Sequence, residues 1–308
     1  MPVQFHRFSS EKQAADAVFN ELRRYLVDGP GYQLPEDDET VGTRRATAPF
    51  VLMLAGGQTP LPIYQRLARE VPSQVHPAVH LLLSDDRYVP FEDERSNAGS
   101  ISPTVRALGL PDERFIRVET EYPVDDAAGR FSVSIRDLGT RNAIFALALL
   151  GIGGDGHTAS LFSAASINDA ADRLPKSRTA VRPETGPGAP DPVAAARQAA
   201  SREESVPRGE PGTVPDTTLP PGPGDGVLLG EDTAPAAIKA GRHGGTERIS
   251  ATPEVLLSFR RLIFFATGNA KREILYDLSR RPEDYPAGAL MLRHPNAEIW
   301  TDEAPRVR

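Results

Sequence analysis

Cysteine is absent from this 308-residue chain. Its absence excludes a disulfide scaffold, a thiol nucleophile and every cysteine-based zinc or iron–sulfur site. An excess of basic charge is also missing: 35 Lys and Arg face 42 Asp and Glu, a formal net charge of −7. Nucleic-acid binders usually carry a basic stripe, so no nucleic-acid partner is expected. No apolar run approaches the ~20 residues that a membrane span needs. The opening MPVQFHRFSSEKQ lacks the apolar stretch of a secretory signal. A soluble, cytoplasmic protein with no membrane partner is therefore expected, and the hydrophobic (39%) and charged (25%) fractions suit a globular chain. No Gly-x-Ser-x-Gly elbow supports a serine hydrolase. No sustained heptad signals assembly, so a monomer or small homo-oligomer is expected.

What the chain has in plenty is proline and glycine, unevenly spread. Residues 182–230 hold ten prolines and eight glycines and no aromatic residue. Such a run cannot bury enough apolar surface to offset its ordering entropy. The expected organisation is one domain over 1–308, interrupted by a disordered or weakly ordered insertion at 182–236. A shorter polar stretch, 28–48, reads as another loop. Elsewhere helical and strand periodicities alternate. Ser9 or Ser10 can cap a helix to about Val27, with Ala14, Val18, Leu22, Tyr25 and Leu26 as its apolar stripe. Thr59 reads as an N-cap with Pro60 at the first helical position. Strands are predicted at Phe50–Leu54, Val79–Leu83, Phe115–Val118, Ile144–Leu150 and Leu262–Ala266, with an edge strand at Glu298–Thr301. Strands without polar alternation, separated by helices, predict an α/β fold: a mostly parallel sheet with helices on both faces.

Four of these strands run into unusual sequence: AGGQTP, SDDR, GIGGDGH and TGNAK. Ligands of open α/β sheets bind beyond the carboxyl ends of strands, so the four motifs should meet at one edge. Gly56 and Gly57 let the backbone approach a ligand, and the helix that follows offers free N–H groups to an anion. The turn is not a P-loop, since no Gly-Lys-Ser/Thr follows. Arg87, beside Asp85 and Asp86, suits a phosphate or an oxyanion. Gly151 to Gly156 formally matches the dinucleotide fingerprint, but no acidic strand end follows about 20 residues on. It reads better as a glycine-flanked loop presenting His157 as a general base, with loop N–H groups as oxyanion donors. His76 and His80 are separated by Pro77 and make a poor metal pair. No metal and no cofactor are expected.

In this order the motifs resemble the glucosamine-6-phosphate isomerase/6-phosphogluconolactonase superfamily, and its lactonase branch in particular. The stretches that carry the resemblance are LAGGQTPLPIYQRLA, LLLSDDRYVPFEDERSN, LALLGIGGDGHTASLF, ERISATPEVLLSFRRLIFFATGNAKREIL, LMLRH and EIWTDEA. They cover most of the chain outside 182–236. The resemblance implies a modified Rossmann-like fold and cofactor-independent hydrolysis of 6-phosphoglucono-δ-lactone, a step of the oxidative pentose phosphate pathway. It implies that His157 activates the water. It matches Asp85 and Arg87 to the acid and arginine of the family's GDER motif. It places the phosphate on Gly56, Gly57, Gln58 and Thr59 and on a basic residue just before the ERI strand: Lys239, Arg242 or His243.

The chain departs from the pattern in three places: AGGQT replaces SGGST, SDDR replaces GDER, and LFSA replaces LFPG. Asp155 or Asp85 would orient the imidazole and stabilise its cation. Two rivals remain. Isomerase/deaminase relatives carry a glutamate five residues after the histidine, where this chain has Phe162. A non-catalytic sugar-phosphate sensor would normally sit beside a helix-turn-helix, for which 1–48 offers only one helix and a loop.

Overall fold

The computed structural model describes residues 3–30, 48–71, 74–174 and 236–303. The predicted insertion, 182–236, lies outside the described residues except for its last residue, and most of the 28–48 loop does too. Strands β1 (Gln4–Arg7), β2 (Phe50–Leu54), β3 (Val79–Leu83), β5 (Phe115–Ile116), β6 (Ile144–Leu150), β9 (Arg261–Phe265) and β10 (Ala297–Thr301) form one sheet. Its order is β1-β10-β9-β6-β2-β3-β5, and every pairing is parallel. β2, β3 and β6 are buried along their whole length, as expected of strands with helices on both faces. A second, antiparallel sheet joins β4 (Asp85–Arg87), β8 (Thr246–Ala251) and β7 (Ala237–His243). Among the described residues no helix is long and apolar enough to cross a membrane.

The two faces of the sheet carry separate cores. Helices α1 (Glu11–Asp28), α2 (Leu61–Glu70) and α3 (Asn97–Ala107) bury Leu22, Leu26, Tyr64 and Ile101 against one face. On the other face α4 (Val124–Thr140), α5 (Ala164–Arg173), α6 (Pro253–Leu257), α7 (Arg272–Arg280) and α8 (Pro286–Arg293) bury Phe131, Ile135, Leu275 and Leu290. The predicted α1 stripe is buried entire. Ser10 caps the helix, its side chain accepting from the Gln13 N–H at 3.2 Å.

Three sequence expectations shift. The helix after the glycine turn begins at Leu61 rather than at Pro60. Pro60 is itself the N-cap, and no side chain caps the helix. Glu298–Thr301 is not at the edge: β10 lies between β9 and β1, and β1 takes the edge. The predicted third strand is shorter, only Phe115–Ile116.

The register places the chemistry. Leu54 of β2 stands opposite Leu83 of β3 and Leu149 of β6, and Leu150 opposite Phe264 of β9. The carboxyl ends of four adjacent strands therefore share one level, and the four motif-bearing loops leave the sheet together.

Candidate active site

Those loops surround a cavity of about 290 Å³. One end is built by the glycine turn and two arginines. Gly56, Gly57, Gln58, Thr59 and Pro60 line it, and α2 starts directly behind. Arg87 and Arg248 also line it. The register sets Arg87 of β4 directly opposite Arg248 of β8, and like charges in that relation destabilise a sheet. Burial, and then the Arg87 charge, hold the Arg248 guanidinium below its usual pKa. Its Nε is buried and has no hydrogen-bond partner. Two facing guanidiniums, one with an unmet buried donor, form a site that an anion would relieve.

Arg87 is aimed rather than loose. Its Nη1 donates to the Asn97 side-chain oxygen at 2.9 Å and to the Arg95 carbonyl at 2.8 Å. Asn97 Nδ2 in turn donates to the Asp85 carbonyl at 3.0 Å. Gly56 is needed for this arrangement, since a Cβ there would fall 1.9 Å from Asn97 Cγ. Beneath lies Asp86, fully buried, which accepts the backbone N–H groups of Asn97 at 2.7 Å, Ala98 at 2.9 Å and Arg87 at 2.8 Å. It thus ties the start of α3 to β4. Burial pushes its carboxyl up to about 6, against the pull of those N–H groups.

The other end carries the base. His157 lines the cavity, and its Nδ1 lies 2.5 Å from Asp155 Oδ1. Burial raises the Asp155 pKa. The His157 ring and backbone hydrogen bonds outweigh that and lower it overall. An ionised carboxylate only accepts, so the neutral imidazole in this contact carries its proton on Nδ1 and offers Nε2 as an acceptor. Gly153 makes room for the pair: a Cβ there would lie 2.2 Å from His157 Nδ1 and 2.5 Å from Asp155 Oδ1. The loop continues into a tight turn in which Ala159 adopts a left-handed conformation (φ 49°). That turn presents Ser160, whose hydroxyl donates to Asp85 Oδ2 at 2.6 Å.

These contacts show where each predicted residue stands. His157 is oriented by Asp155. Asp85 instead accepts the hydroxyls of Ser84 at 2.7 Å and Ser160 at 2.6 Å. Arg248, within the ERI segment, lines the cavity beside Arg87. Lys239 and Arg242 are not brought to the cavity. Both are exposed on β7, and Lys239 pairs with Asp125. His243 is brought near, its ring 5.1 Å from His157 and stacked on Phe162 at 4.6 Å. The loop N–H groups expected as oxyanion donors are largely engaged. Gly153 donates to the His157 carbonyl at 2.8 Å, Gly156 to the Gly153 carbonyl at 3.0 Å, and His157 to Asp155 Oδ1 at 3.2 Å. Asp155, His157 and His243 bring possible ligand atoms within 4.8 Å of one another, the grouping among the described residues that could hold a cation. The bond to Asp155 already occupies His157 Nδ1.

Sequence reasoning missed Arg248, Lys271 and Asn97, all of which line the cavity. The signals were present: Arg248 stands in ERIS, Lys271 closes TGNAK, and Asn97 follows the helix-capping Ser96. A larger cavity, about 710 Å³, lies beside β5 at the far edge of the sheet. Its arginines Arg117 and Arg141 are already paired with Glu121 at 2.8 Å and Asp137 at 2.6 Å. It stands apart from the strand ends that bring the four motifs together.

A hydrogen-bonded Asp155–His157 pair and two facing arginines thus stand together at the strand ends of a parallel α/β sheet. Residues 38–188 match the family of glucosamine-6-phosphate isomerases and 6-phosphogluconolactonases. That match spans just under half of the chain. A 6-phosphogluconolactonase of Thermotoga maritima is 38% identical over 114 residues, 36% of this chain and 49% of that protein. The human 6-phosphogluconolactonase is 35% identical over 127 residues, 38% of this chain and 48% of that protein. These matches thus span about half the length of the curated relatives. The crystal structure of the Thermotoga maritima lactonase superposes with a TM-score of 0.59 at 19% identity, covering 97% of this chain and 98% of that one. At that identity the likeness speaks for the fold.

Proposed function

We propose that this chain hydrolyses 6-phospho-D-glucono-1,5-lactone to 6-phosphogluconate, the lactone-opening step of the oxidative pentose phosphate pathway. The observation that carries the reading is one cavity with two unlike ends. Arg87 and Arg248 face each other at one end, and the Asp155–His157 pair stands at the other. A phosphorylated sugar lactone has the matching polarity, an anion at one end and an electrophilic carbonyl at the other.

The 6-phosphate sits between Arg87 and Arg248 and over the Gly56–Gly57 turn, where the start of α2 adds its dipole. A water between the lactone carbonyl and His157 Nε2 gives its proton to that nitrogen as its oxygen bonds to C1. The carbonyl electrons move to the carbonyl oxygen. Asp155 stabilises the imidazolium that forms. Collapse of the tetrahedral adduct breaks the bond between C1 and the ring oxygen. The ring oxygen takes the proton from His157 and leaves as the C5 hydroxyl. General base help of this kind contributes about 10²–10⁴ in rate. A δ-lactone is an activated ester, so the reaction draws on no metal or cofactor. The reading places the reaction in the cytoplasm, where phosphorylated sugars are formed and retained.

The isomerase/deaminase reading is less well supported. The position where those relatives carry a glutamate is Phe162, whose ring lies 5.0 Å from that of His157. The carboxylate that lines the cavity, Asp85, is engaged by two serine hydroxyls.

The test is a coupled assay with purified protein. Lactone is generated in place from glucose 6-phosphate and its dehydrogenase, and the spontaneous rate is subtracted. Activity well above background that collapses in His157→Ala is expected. Absence of activity in a folded wild type would overturn the reading. Full activity in His157→Ala would overturn the base.

A further inference from the structure

The chemistry above depends on one contact, His157 Nδ1 to Asp155 Oδ1 at 2.5 Å. Only Gly156 separates the two residues in the chain. Asp155 is exposed and His157 half-buried, whereas Gly156 is buried and left-handed (φ 81°). The pair therefore stands on a short turn that is packed at its middle residue and open at the two side chains that matter.

The start of α8 packs on that middle residue. The Ala287 N–H donates to the Gly156 carbonyl at 3.0 Å. It is one of the N–H groups at a helix start that find no partner within the helix. Tyr285, the N-cap residue of α8, lies against Gly156. A Cβ on Gly156 would fall 2.4 Å from Tyr285 Cδ1 and 2.9 Å from its Cβ and Cγ. The ring thus occupies the space that a side chain between Asp155 and His157 would need. Its own direction is set from α7, since the Tyr285 hydroxyl donates to Asp277 Oδ2 at 3.0 Å. That bond raises the phenol pKa, so the hydroxyl keeps its proton. Tyr285 is not among the residues that line the cavity, so it has no direct reach to a ligand there.

We propose that Tyr285 is a positioning residue: its ring, seated on Gly156, holds the turn in the form that keeps Asp155 against His157 Nδ1. It acts through the pair and touches no substrate. Its effect on rate rests on the lactonase reading; its effect on the pair does not.

The test uses the full-length protein with Tyr285→Ala, which removes the ring, and Tyr285→Phe, which keeps it. Tyr285 is half-buried, and thermal melts show that both variants are folded at the assay temperature. In Tyr285→Ala the kcat for lactone should fall about 10- to 10²-fold, the loss expected when a catalytic group is displaced by about 1 Å. KM should stay within about threefold, because no cavity-lining residue has changed. Tyr285→Phe should keep kcat within about threefold of wild type.

The second readout needs no activity. NMR of protein carrying isotope-labelled histidine reads which ring nitrogen of His157 holds the proton, at a pH where the imidazole is neutral, with His157→Ala assigning the signal. Which nitrogen is protonated is set by the hydrogen bond the ring makes. Wild type and Tyr285→Phe should hold the proton on Nδ1. In Tyr285→Ala it should redistribute toward Nε2, as the bond to Asp155 loosens. Unchanged nitrogen signals in Tyr285→Ala would overturn the role of Tyr285, whatever the rate. A Tyr285→Phe variant as impaired as Tyr285→Ala would overturn it too, and so would a loss that falls mainly on KM. An inactive wild type would sink the lactonase reading alone. The nitrogen signals would then decide the role of Tyr285, redistribution sustaining it and constancy refuting it.

Discussion

Replacing Arg248 with methionine should make the empty protein more stable and the enzyme worse. The two effects have one cause. In the empty site Arg248 faces Arg87 across a strand pair. Its buried Nε lacks a partner, and burial together with the Arg87 charge disfavours its charged form. Relieving an unmet buried donor is worth about 1–3 kcal/mol. Methionine also keeps the aliphatic bulk. Even 1 kcal/mol would raise the melting temperature of a domain this size by roughly 2–4 °C. With substrate bound the ledger reverses. Charge-assisted contacts to a phosphate contribute about 1.5–3 kcal/mol, so KM should rise roughly ten- to hundredfold. The kcat should hold far better, because His157 and Asp155 lie at the other end of the cavity. Thermal melts with and without inorganic phosphate, together with lactone kinetics, read both effects on one preparation. Phosphate at ten times its dissociation constant should stabilise the wild type by about 1.4 kcal/mol and the variant much less. A variant that melts lower than wild type and keeps its KM within twofold would refute the reasoning. Arg248 would then be a structural residue.

Further outcomes follow from the same geometry. Asp155→Asn keeps a side-chain oxygen near His157 Nδ1 but loses the charge that supports the imidazolium. Its kcat should drop at least about tenfold with KM within threefold in steady-state assays. Gly56→Ala puts a methyl group 1.9 Å from Asn97 Cγ. Overpacking of this kind costs about 1–3 kcal/mol, so thermal melts should show a lower midpoint. KM should rise too, since Asn97 holds Arg87. Asp86 has a folded pKa pushed up to about 6 from an ordinary 3.8. Its stabilisation is therefore full below pH 3.8 and is lost as pH rises through about 6. His294, buried and pushed down to about 4, has the opposite slope: its stabilisation is full above 6.5 and is lost as pH falls through about 4. The difference between wild type and Asp86→Asn isolates the first. Denaturant melts at pH 7.5 and pH 5 should show the wild type gaining roughly 1.4 kcal/mol on the variant at the lower pH.

The sheet was legible because its strands are continuous apolar runs, FVLML, VHLLL and IFALALL, which only a doubly covered sheet explains. His157 stands out in the sequence because a histidine inside a glycine turn at a strand end has few structural uses. β1 was not legible: Gln4–Arg7 is largely exposed, and its residues are strand-forming only because β10 lies beside them. The small sheet was missed for a related reason. Asp85–Arg87 is three polar residues long and becomes a strand only when Ser250, Ile249 and Arg248 pair with it.

The small sheet also decides which cations line the cavity. From sequence, the basic residue is expected in the run before the ERI strand, with Lys239, Arg242 and His243 as the candidates. Which cation reaches the cavity is decided by register. β8 runs antiparallel to β4, with Asp86 opposite Ile249 and Arg87 opposite Arg248. Alternation then sends Ile249 into the core and Arg248 to the face that Arg87 occupies. A slip of one residue would bury Arg248 and turn Ile249 toward the substrate. The apolar demand of the core at Ile249 is therefore what aims Arg248. Lys239, opposite Ile249 on β7, is one strand further from the cavity, at the edge of the small sheet, where Asp125 takes up its charge.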